Sequence, residues 1–214
     1  MLESHLRRPS GATRQGATGR RFLGGAVGNN RLTSLLGVIL LVGLALEGAT
    51  IPSIRSLLSV HIFVGMLLLG PVAVKLASTG YRFARYYAGS AEYVRLGPPV
   101  PLMRFLVAPA LVLSTVTLFG SGVALLAVPH RGPILGLHKA SVVVWFGAMT
   151  IHVLAYTLRA VRHALADLHE RLPGGNALRW TLAAAAIAAG VVIAIATYPL
   201  AHAWLHAHWL VAPG

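Results

Sequence analysis

Histidines inside apolar segments are the residues of this chain with the clearest capacity for chemistry. His138 and His152 both lie in the run Gly136–Tyr156, which reads GLHKASVVVWFGAMTIHVLAY. On an α-helix, their separation of fourteen residues amounts to four turns less about 40° and to a rise of about 21 Å. Both side chains are therefore predicted on one face of one helix, near opposite sides of a bilayer. Ionisable side chains at such positions are costly and usually functional.

A third imidazole, His61, lies at about the depth of His138. Each of the two residues stands roughly one helical turn inside its own apolar span, counted from the same side. Two facing imidazoles at one depth are typical of bis-imidazole haem ligation, and a low-dielectric site favours the neutral ring that binds iron. The alternative is that each ring packs in the bundle and bonds to a neighbouring carbonyl.

The neighbours of this pair suit a haem. Gly65 follows His61 by one turn on the same face, so a flat macrocycle can lie close to the backbone there. Arg55, Arg131 and Lys139 stand at the same mouth of the bundle. Three cations at that position are suitable partners for haem propionates.

His152 needs a partner at its own depth, and the residue at that position of the other helix is Lys75, fourteen residues after His61. One interpretation is a second haem held by His152 and Lys75 or another residue. A second is a quinone pocket in which both side chains donate to quinone carbonyls and relay protons. In the third, Lys75 extends to the interface and His152 only packs.

The composition indicates a polytopic membrane protein. Of 214 residues, 56% are hydrophobic and 11% are charged, and the chain contains several apolar runs long enough to span a bilayer as helices. The absence of cysteine excludes disulfides, iron–sulfur clusters and thiolate ligands. The net charge of +13 lies in tails and loops beside the apolar runs, so we expect no nucleic-acid partner.

The elements that must position the histidines are five predicted transmembrane helices, which makes the predicted fold class an all-α integral membrane protein. The first four would form a haem-binding four-helix bundle. The spans are about 32–52, 57–79, 103–128, 134–158 and 180–200. The corresponding organisation is a disordered basic tail at 1–31, a cytochrome b-like bundle at 32–158, a loop at 159–179, and a fifth helix with an external segment at 180–214.

Basic residues set the orientation. Fourteen arginines lie in the N-terminal tail and in two alternate loops, and the other side has only Arg55, Arg131 and Lys139. By the positive-inside rule, the N-terminus, the tail and the 159–179 loop are cytoplasmic and the C-terminus is external. The predicted location is the cell (inner or plasma) membrane, in contact with lipid.

At these residues the chain resembles the membrane-bound b-type cytochromes, the helical haem subunits of hydrogenases, formate dehydrogenases and ferric-reductase-like proteins. The matching features are His61 with Gly65, and His138 with His152, over about 30–158. The resemblance implies haem b between helices and electron transfer between a quinone pool of the respiratory chain and a partner redox subunit. Lys75 stands where di-haem members carry a fourth histidine.

Several alternatives remain at this point. A small-molecule or ion transporter is suggested by Gly70–Pro71, which is predicted to break the second helix, and a cofactor-free assembly subunit is the third class. An electron-transfer subunit of an oxidoreductase is expected in preference to a stand-alone enzyme, because the chain lacks a GxGxxG motif. Glu47 is expected to pair with Arg55, to accept a proton from a quinol or to reach the external interface.

Small residues in the fifth span and histidines beyond it complete the features of interest. Ala186, Gly190 and Ala194 form a small-xxx-small face that can seat the helix on the bundle or on a partner. Beyond this helix, a histidine cluster can bind a metal or lie at the interface; its members are His202, His206 and His208.

Overall fold

Helices account for almost all of the structure, a computed structural model that describes residues 24–97, 101–127, 132–169 and 175–209. Side chains are described in these ranges except at 167–168 and 201–209. No β-strand occurs in the ranges given, so the predicted all-α class is confirmed there. The helices are α1 (Gly25–Thr50), α2 (Ile54–Tyr87), α3 (Ala91–Arg95), α4 (Ala108–Ala127), α5 (Gly132–His169) and α6 (Asn176–Trp209). A 3₁₀ turn, Ile51–Ser53, joins α1 to α2, and a π-helical turn, Met103–Val107, leads into α4.

Four helical segments of this part of the chain are long and apolar enough to cross a membrane: Gly25–Tyr87, Met103–Ala127, Gly132–Ala166 and Asn176–Leu200. Large apolar side chains are exposed on their outer faces, for example Leu154 at 82% and Leu113 at 68%. Outward-facing leucines without polar companions suit contact with lipid. The expected transmembrane, multi-pass character is supported by these segments.

The first segment, 63 residues long, folds back on itself as a hairpin of α1 and α2. Contacts pair its two ends in antiparallel order. Asn29 Nδ2 donates to the Ser78 carbonyl oxygen at 3.1 Å, and Glu47 contacts His61 near the turn. The reversal occurs over Ile51–Ser53 and at Leu57, whose φ of −107° and ψ of 15° depart from helical values.

The helices are arranged so that α2 and α5 lie diagonally opposite each other. α1 packs against both α2 and α5, and α4 packs extensively against α5 and at fewer positions against α2. The interior of the α1–α2 interface is apolar at Leu40, Leu68 and Val72. α6 lies outside this group of four and packs mainly on α2. The two histidine-bearing helices therefore face each other across the interior.

Helices extend beyond the predicted spans on the side where most arginines lie. α1 begins at Gly25, so residues 25–31 are helical and the predicted disordered tail to residue 31 is wrong for them; residues 1–23 lie outside the described part. Contacts with other helices explain why residues 25–31 are helical. Asn29 is 1% exposed, and Arg31 Nη1 donates to the Ala166 carbonyl oxygen of α5 at 3.1 Å. α5 likewise continues to His169, well into the predicted 159–179 loop.

The predicted break at Gly70–Pro71 does not occur, because α2 is helical on both sides of Pro71. Proline lacks the N–H that would bond the carbonyl four residues earlier, which here is that of Leu67. This carbonyl faces Gly190 of α6, and a methyl group on Gly190 would overlap it. Gly70 faces the Ala186 carbonyl in the same way. The small-residue face of α6 therefore seats that helix on α2, the first of the two expected alternatives.

Candidate functional site

His61 projects from α2 toward the end of α1. Its Nδ1 lies 2.8 Å from Thr50 Oγ1. The Thr50 hydroxyl has one hydrogen, which it donates to the Glu47 carbonyl oxygen at 2.6 Å, so it can only accept from Nδ1. The neutral ring consequently carries its proton on Nδ1 and its lone pair on Nε2. Within the described residues, Nε2 makes no hydrogen bond.

His138 projects from α5 toward α4 and has a matching arrangement. Its Nδ1 lies 3.1 Å from the Leu118 carbonyl oxygen and 3.1 Å from Ser121 Oγ. Ser121 donates its own hydrogen to Leu118 O at 3.0 Å. A carbonyl oxygen only accepts, so Nδ1 is the donor and the lone pair again lies on Nε2. Gly122 leaves room for this ring, since a Cβ there would stand 3.4 Å from His138 Cε1.

The two imidazoles lie on α2 and α5, which are diagonally opposite each other in the bundle. Neither bonds to the other, and each is held at Nδ1 by the neighbouring helix, His61 by α1 and His138 by α4. Both side chains are half-buried. The arrangement provides two nitrogen lone pairs from diagonal helices, which is the donor set that a six-coordinate haem iron takes from a protein.

The contact between Glu47 and His61 is the feature of this site that the sequence did not predict. Glu47 Oε1 lies 3.1 Å from His61 Nδ1, and its Oε2 is buried without a hydrogen-bond partner among the described residues. The expected pairing with Arg55 is not observed, since Arg55 is exposed and makes no ion pair in the described part. Counted outward from Pro52, Leu57 and not His61 would stand opposite Glu47, so a simple hairpin register does not predict this contact.

Gly65 lies one turn further along α2, also beside Glu47. A Cβ at Gly65 would stand 3.1 Å from Glu47 Oε1. The space made by this glycine is thus occupied by a carboxylate from α1.

In the other half of the bundle, Lys75 is directed at α1. Its Nζ donates to the Thr33 carbonyl oxygen at 2.5 Å, and a Cβ on Gly37 would stand 2.9 Å from Nζ. The surrounding seam is polar: Ser78 Oγ donates to Asn29 Oδ1 at 3.2 Å and also contacts the Thr33 hydroxyl. One N–H of the ammonium is therefore committed to tying α1 to α2.

His152 lies on α5, diagonally opposite the helix α2 that carries Lys75. Its ring packs against Tyr156 with centroids 5.0 Å apart, and it makes no hydrogen bond within the described chain. Midway along α5, Trp145 Nε1 donates to Thr115 Oγ1 of α4 at 3.1 Å, which indicates a packing role for Trp145.

The structure describes two of the three basic residues that were predicted beside haem propionates. Lys139 and Arg55 are exposed, and Arg131 lies outside the described residues.

The side chains of His202, His206 and His208 also lie outside the described part, although α6 continues through these positions. Among described residues, no group of three or more histidine, aspartate or glutamate side chains could hold a metal ion.

Two grooves are formed on the outside, between α2 and α6. The larger has a volume of about 490 Å³ and an apolar lining that includes Leu69, Ala73 and Ala189. The smaller, about 260 Å³, lies beside Phe63 and Tyr198. Both grooves lie on the outer, α6 side of α2.

In comparisons with known proteins, no family model, curated protein or solved structure matched the chain.

Proposed function

We propose that this chain is a b-type cytochrome membrane subunit that carries electrons between a quinone pool and a partner redox protein. The observation that carries the proposal is the pair His61 and His138 on diagonal helices, with both Nδ1–H groups engaged and with both Nε2 atoms making no hydrogen bond among the described residues.

The donor set fits a haem iron. Iron-binding histidines typically donate their second ring N–H to a carbonyl, carboxylate or water, which sets the tautomer and the ring orientation. The Thr50 hydroxyl accepts from His61 at the corresponding position, and Leu118 and Ser121 accept from His138. When bound there, a haem b supplies a one-electron couple between its ferric and ferrous states.

One haem per chain is the stoichiometry that we propose. A second ligand pair would need Lys75 as a neutral amine directed at α5, but its Nζ donates to the Thr33 carbonyl on α1. His152 and Lys75 instead suit a quinone, since Lys75 retains further N–H donors and the His152 ring makes no hydrogen bond in the described structure.

Five membrane crossings follow if α1 and α2 each cross once. α1 has 26 residues and α2 has 34, and at about 1.5 Å per residue each exceeds a hydrocarbon core of about 30 Å. With the N-terminus cytoplasmic, the His61/His138 site lies near the external face of the cell membrane, and the His152/Lys75 site lies near the cytoplasm. The substrate chemistry then belongs to a partner subunit.

A transporter was suggested by an interruption of the second helix, and α2 continues through Gly70–Pro71. An assembly subunit without a cofactor would have no use for two half-buried imidazoles with matched tautomers.

The test is a reduced-minus-oxidised spectrum of the purified protein, with haem measured per chain. We expect a low-spin b-type signal at about one haem per chain. His61→Ala and His138→Ala should lose it, and His152→Ala should retain it. His169→Ala, at an exposed histidine of α5 beyond the apolar span, is the matched control. A colourless wild-type protein, or full haem content in His61→Ala, would contradict the proposal.

A further inference from the structure

We propose that the larger groove between α2 and α6 binds one acyl chain of an anionic phospholipid, and that Arg85 and Arg104 hold the phosphate of that lipid. This lipid site is independent of the proposed haem site, since the groove lies on the outer, α6 side of α2. The lipid belongs to the leaflet on the side where α2 ends, at Tyr87.

Backbone contact between α2 and α6 creates the groove. A Cβ on Gly70 would overlap the Ala186 carbonyl oxygen, and Gly190 meets the backbone of α2 in the same way. The two backbones therefore approach closely, and the short side chains beside them leave the space along the contact unfilled. This space has a volume of about 490 Å³, and its apolar lining includes Leu69, Ala73 and Ala189.

The groove is elongated along the helices. On α6 its lining extends from Leu182 to Ile193, which at about 1.5 Å per residue is roughly 16 Å. The hydrocarbon core of a bilayer is about 30 Å thick, so the groove has about the length of the acyl region of one leaflet. A single extended chain suits this shape, whereas a compact ring would leave most of it empty.

The surroundings of the groove are those of a hydrocarbon phase. The helices that form it belong to segments long and apolar enough to cross a membrane, Gly25–Tyr87 and Asn176–Leu200. Water finds no polar partner against an apolar lining, and side chains that border an empty space lose their dispersion contacts. An acyl chain supplies those contacts.

Exposed small residues continue the line of Ala73 toward the end of α2. They lie three and four residues apart, hence on one face of the helix, and are Ala77, Gly80 and Ala84. A Cβ on Gly80 would meet no heavy atom within 4 Å. A lipid tail can therefore run along this face of α2 to the end of the helix.

Two cations stand at that end of α2. Arg85 is exposed and donates to Ser90 Oγ at 3.0 Å, and the guanidinium carbon of Arg104 lies 4.9 Å from the centre of the Tyr87 ring. Neither arginine makes an ion pair with a described residue, and each guanidinium has five N–H donors. An anionic headgroup supplies the countercharge, so a phospholipid with net negative charge is favoured over a zwitterionic one.

The experiment uses the full chain, purified in detergent and freed of lipid, with phosphatidylglycerol or phosphatidylcholine added back. Native mass spectrometry counts the lipid molecules bound per chain. We expect one phosphatidylglycerol per chain, bound about tenfold or more tightly than phosphatidylcholine. Arg85→Gln should reduce this preference, and Arg162→Gln, at an exposed arginine of α5, should retain it.

Ala189→Leu tests the acyl-chain site, because the larger side chain would occupy the groove. We expect this variant to lose the bound phosphatidylglycerol. Ala188→Leu is the matched control, since Ala188 is the preceding residue of α6 and is exposed outside the lining of the groove. Ala73→Leu, on the opposite wall, takes the place of Ala189→Leu if that variant does not fold.

Equal affinity of the wild type for the two lipids, or equal phosphatidylglycerol binding in Ala189→Leu and Ala188→Leu, would overturn the inference. So would a lipid-free dimer that Ala189→Leu converts to a monomer, since the groove would then hold a second copy of the chain. A colourless protein would contradict the proposed function and leave this lipid site standing, because none of these measurements depends on haem.

Discussion

Hydroxyl groups decide the chemistry of both imidazoles at the scale of single residues. Thr50 and Ser121 each donate to the carbonyl oxygen three residues earlier in their own helix and so present only an acceptor to a histidine. A histidine next to a free hydroxyl can adopt either tautomer. Here each hydroxyl already donates its only hydrogen to a carbonyl oxygen, so the histidine must carry its proton on Nδ1. Nε2 therefore keeps its lone pair in both rings.

The contribution of Ser121 can be measured with Ser121→Ala. His138 Nδ1 would retain the Leu118 carbonyl as acceptor, so the loss should be one hydrogen bond of about 1 kcal/mol, or about a fivefold faster haem dissociation. Ser114→Ala is the control, because Ser114 makes the same type of bond to Leu111 O one heptad earlier and is also buried. Equal dissociation rates in the two variants would contradict this assignment.

Helix α6 shows how one element can be added to a bundle without taking part in its site. It packs on α2 through backbone contacts at Gly70 and Gly190, on the side of α2 away from α5. The Leu67 carbonyl, which Pro71 leaves without its usual donor, meets Gly190, where a Cα–H group is a weak donor. Proline in α2 and glycine in α6 are thus two parts of one helix–helix contact.

Gly190→Leu should separate α6 from α2 while leaving the haem site intact. The new side chain would overlap the Leu67 carbonyl, and overpacking of this kind costs about 1–3 kcal/mol or more. We therefore expect a lower thermal unfolding temperature in detergent together with wild-type haem content. Gly147→Leu on α5 is the control, because no heavy atom stands within 4 Å of a Cβ there. Loss of haem in Gly190→Leu alone would show that α6 supports the site.

Polar side chains between α1 and α2 are concentrated toward the two ends of this helix pair. Two polar clusters lie in the α1–α2 seam, Glu47 with His61 near the turn and Lys75 with Thr33 toward the other end. Between them the seam is apolar at Leu40, Leu68 and Val72. The two polar clusters of the seam are therefore separated by an apolar stretch.

The topology can be tested by labelling introduced cysteines, because the chain has none of its own. Ser53→Cys at the α1–α2 turn and Ala88→Cys after α2 are both at exposed positions. With α1 and α2 each crossing once, a membrane-impermeant reagent should label Ser53→Cys from outside intact cells and Ala88→Cys only after lysis. Thr150→Cys, which is exposed on the apolar part of α5, should resist labelling in both cases. Labelling of Ser53→Cys and Ala88→Cys from the same side would contradict five crossings.

The sequence by itself determined the helical class, the apolar segments that suit a membrane, and the helices that carry His61, His138, His152 and Lys75. These properties depend on local hydropathy and on the 3.6-residue period, which neighbours in the chain are enough to define. Helix ends were predicted too short, because contacts such as Arg31 with Ala166 extend α1 and α5 beyond their apolar runs. The partners of each polar side chain were decided only by the tertiary structure. Glu47 meets His61, Lys75 meets Thr33 and Gly190 meets Leu67 because helix rotation and approach depend on residues far apart in the chain.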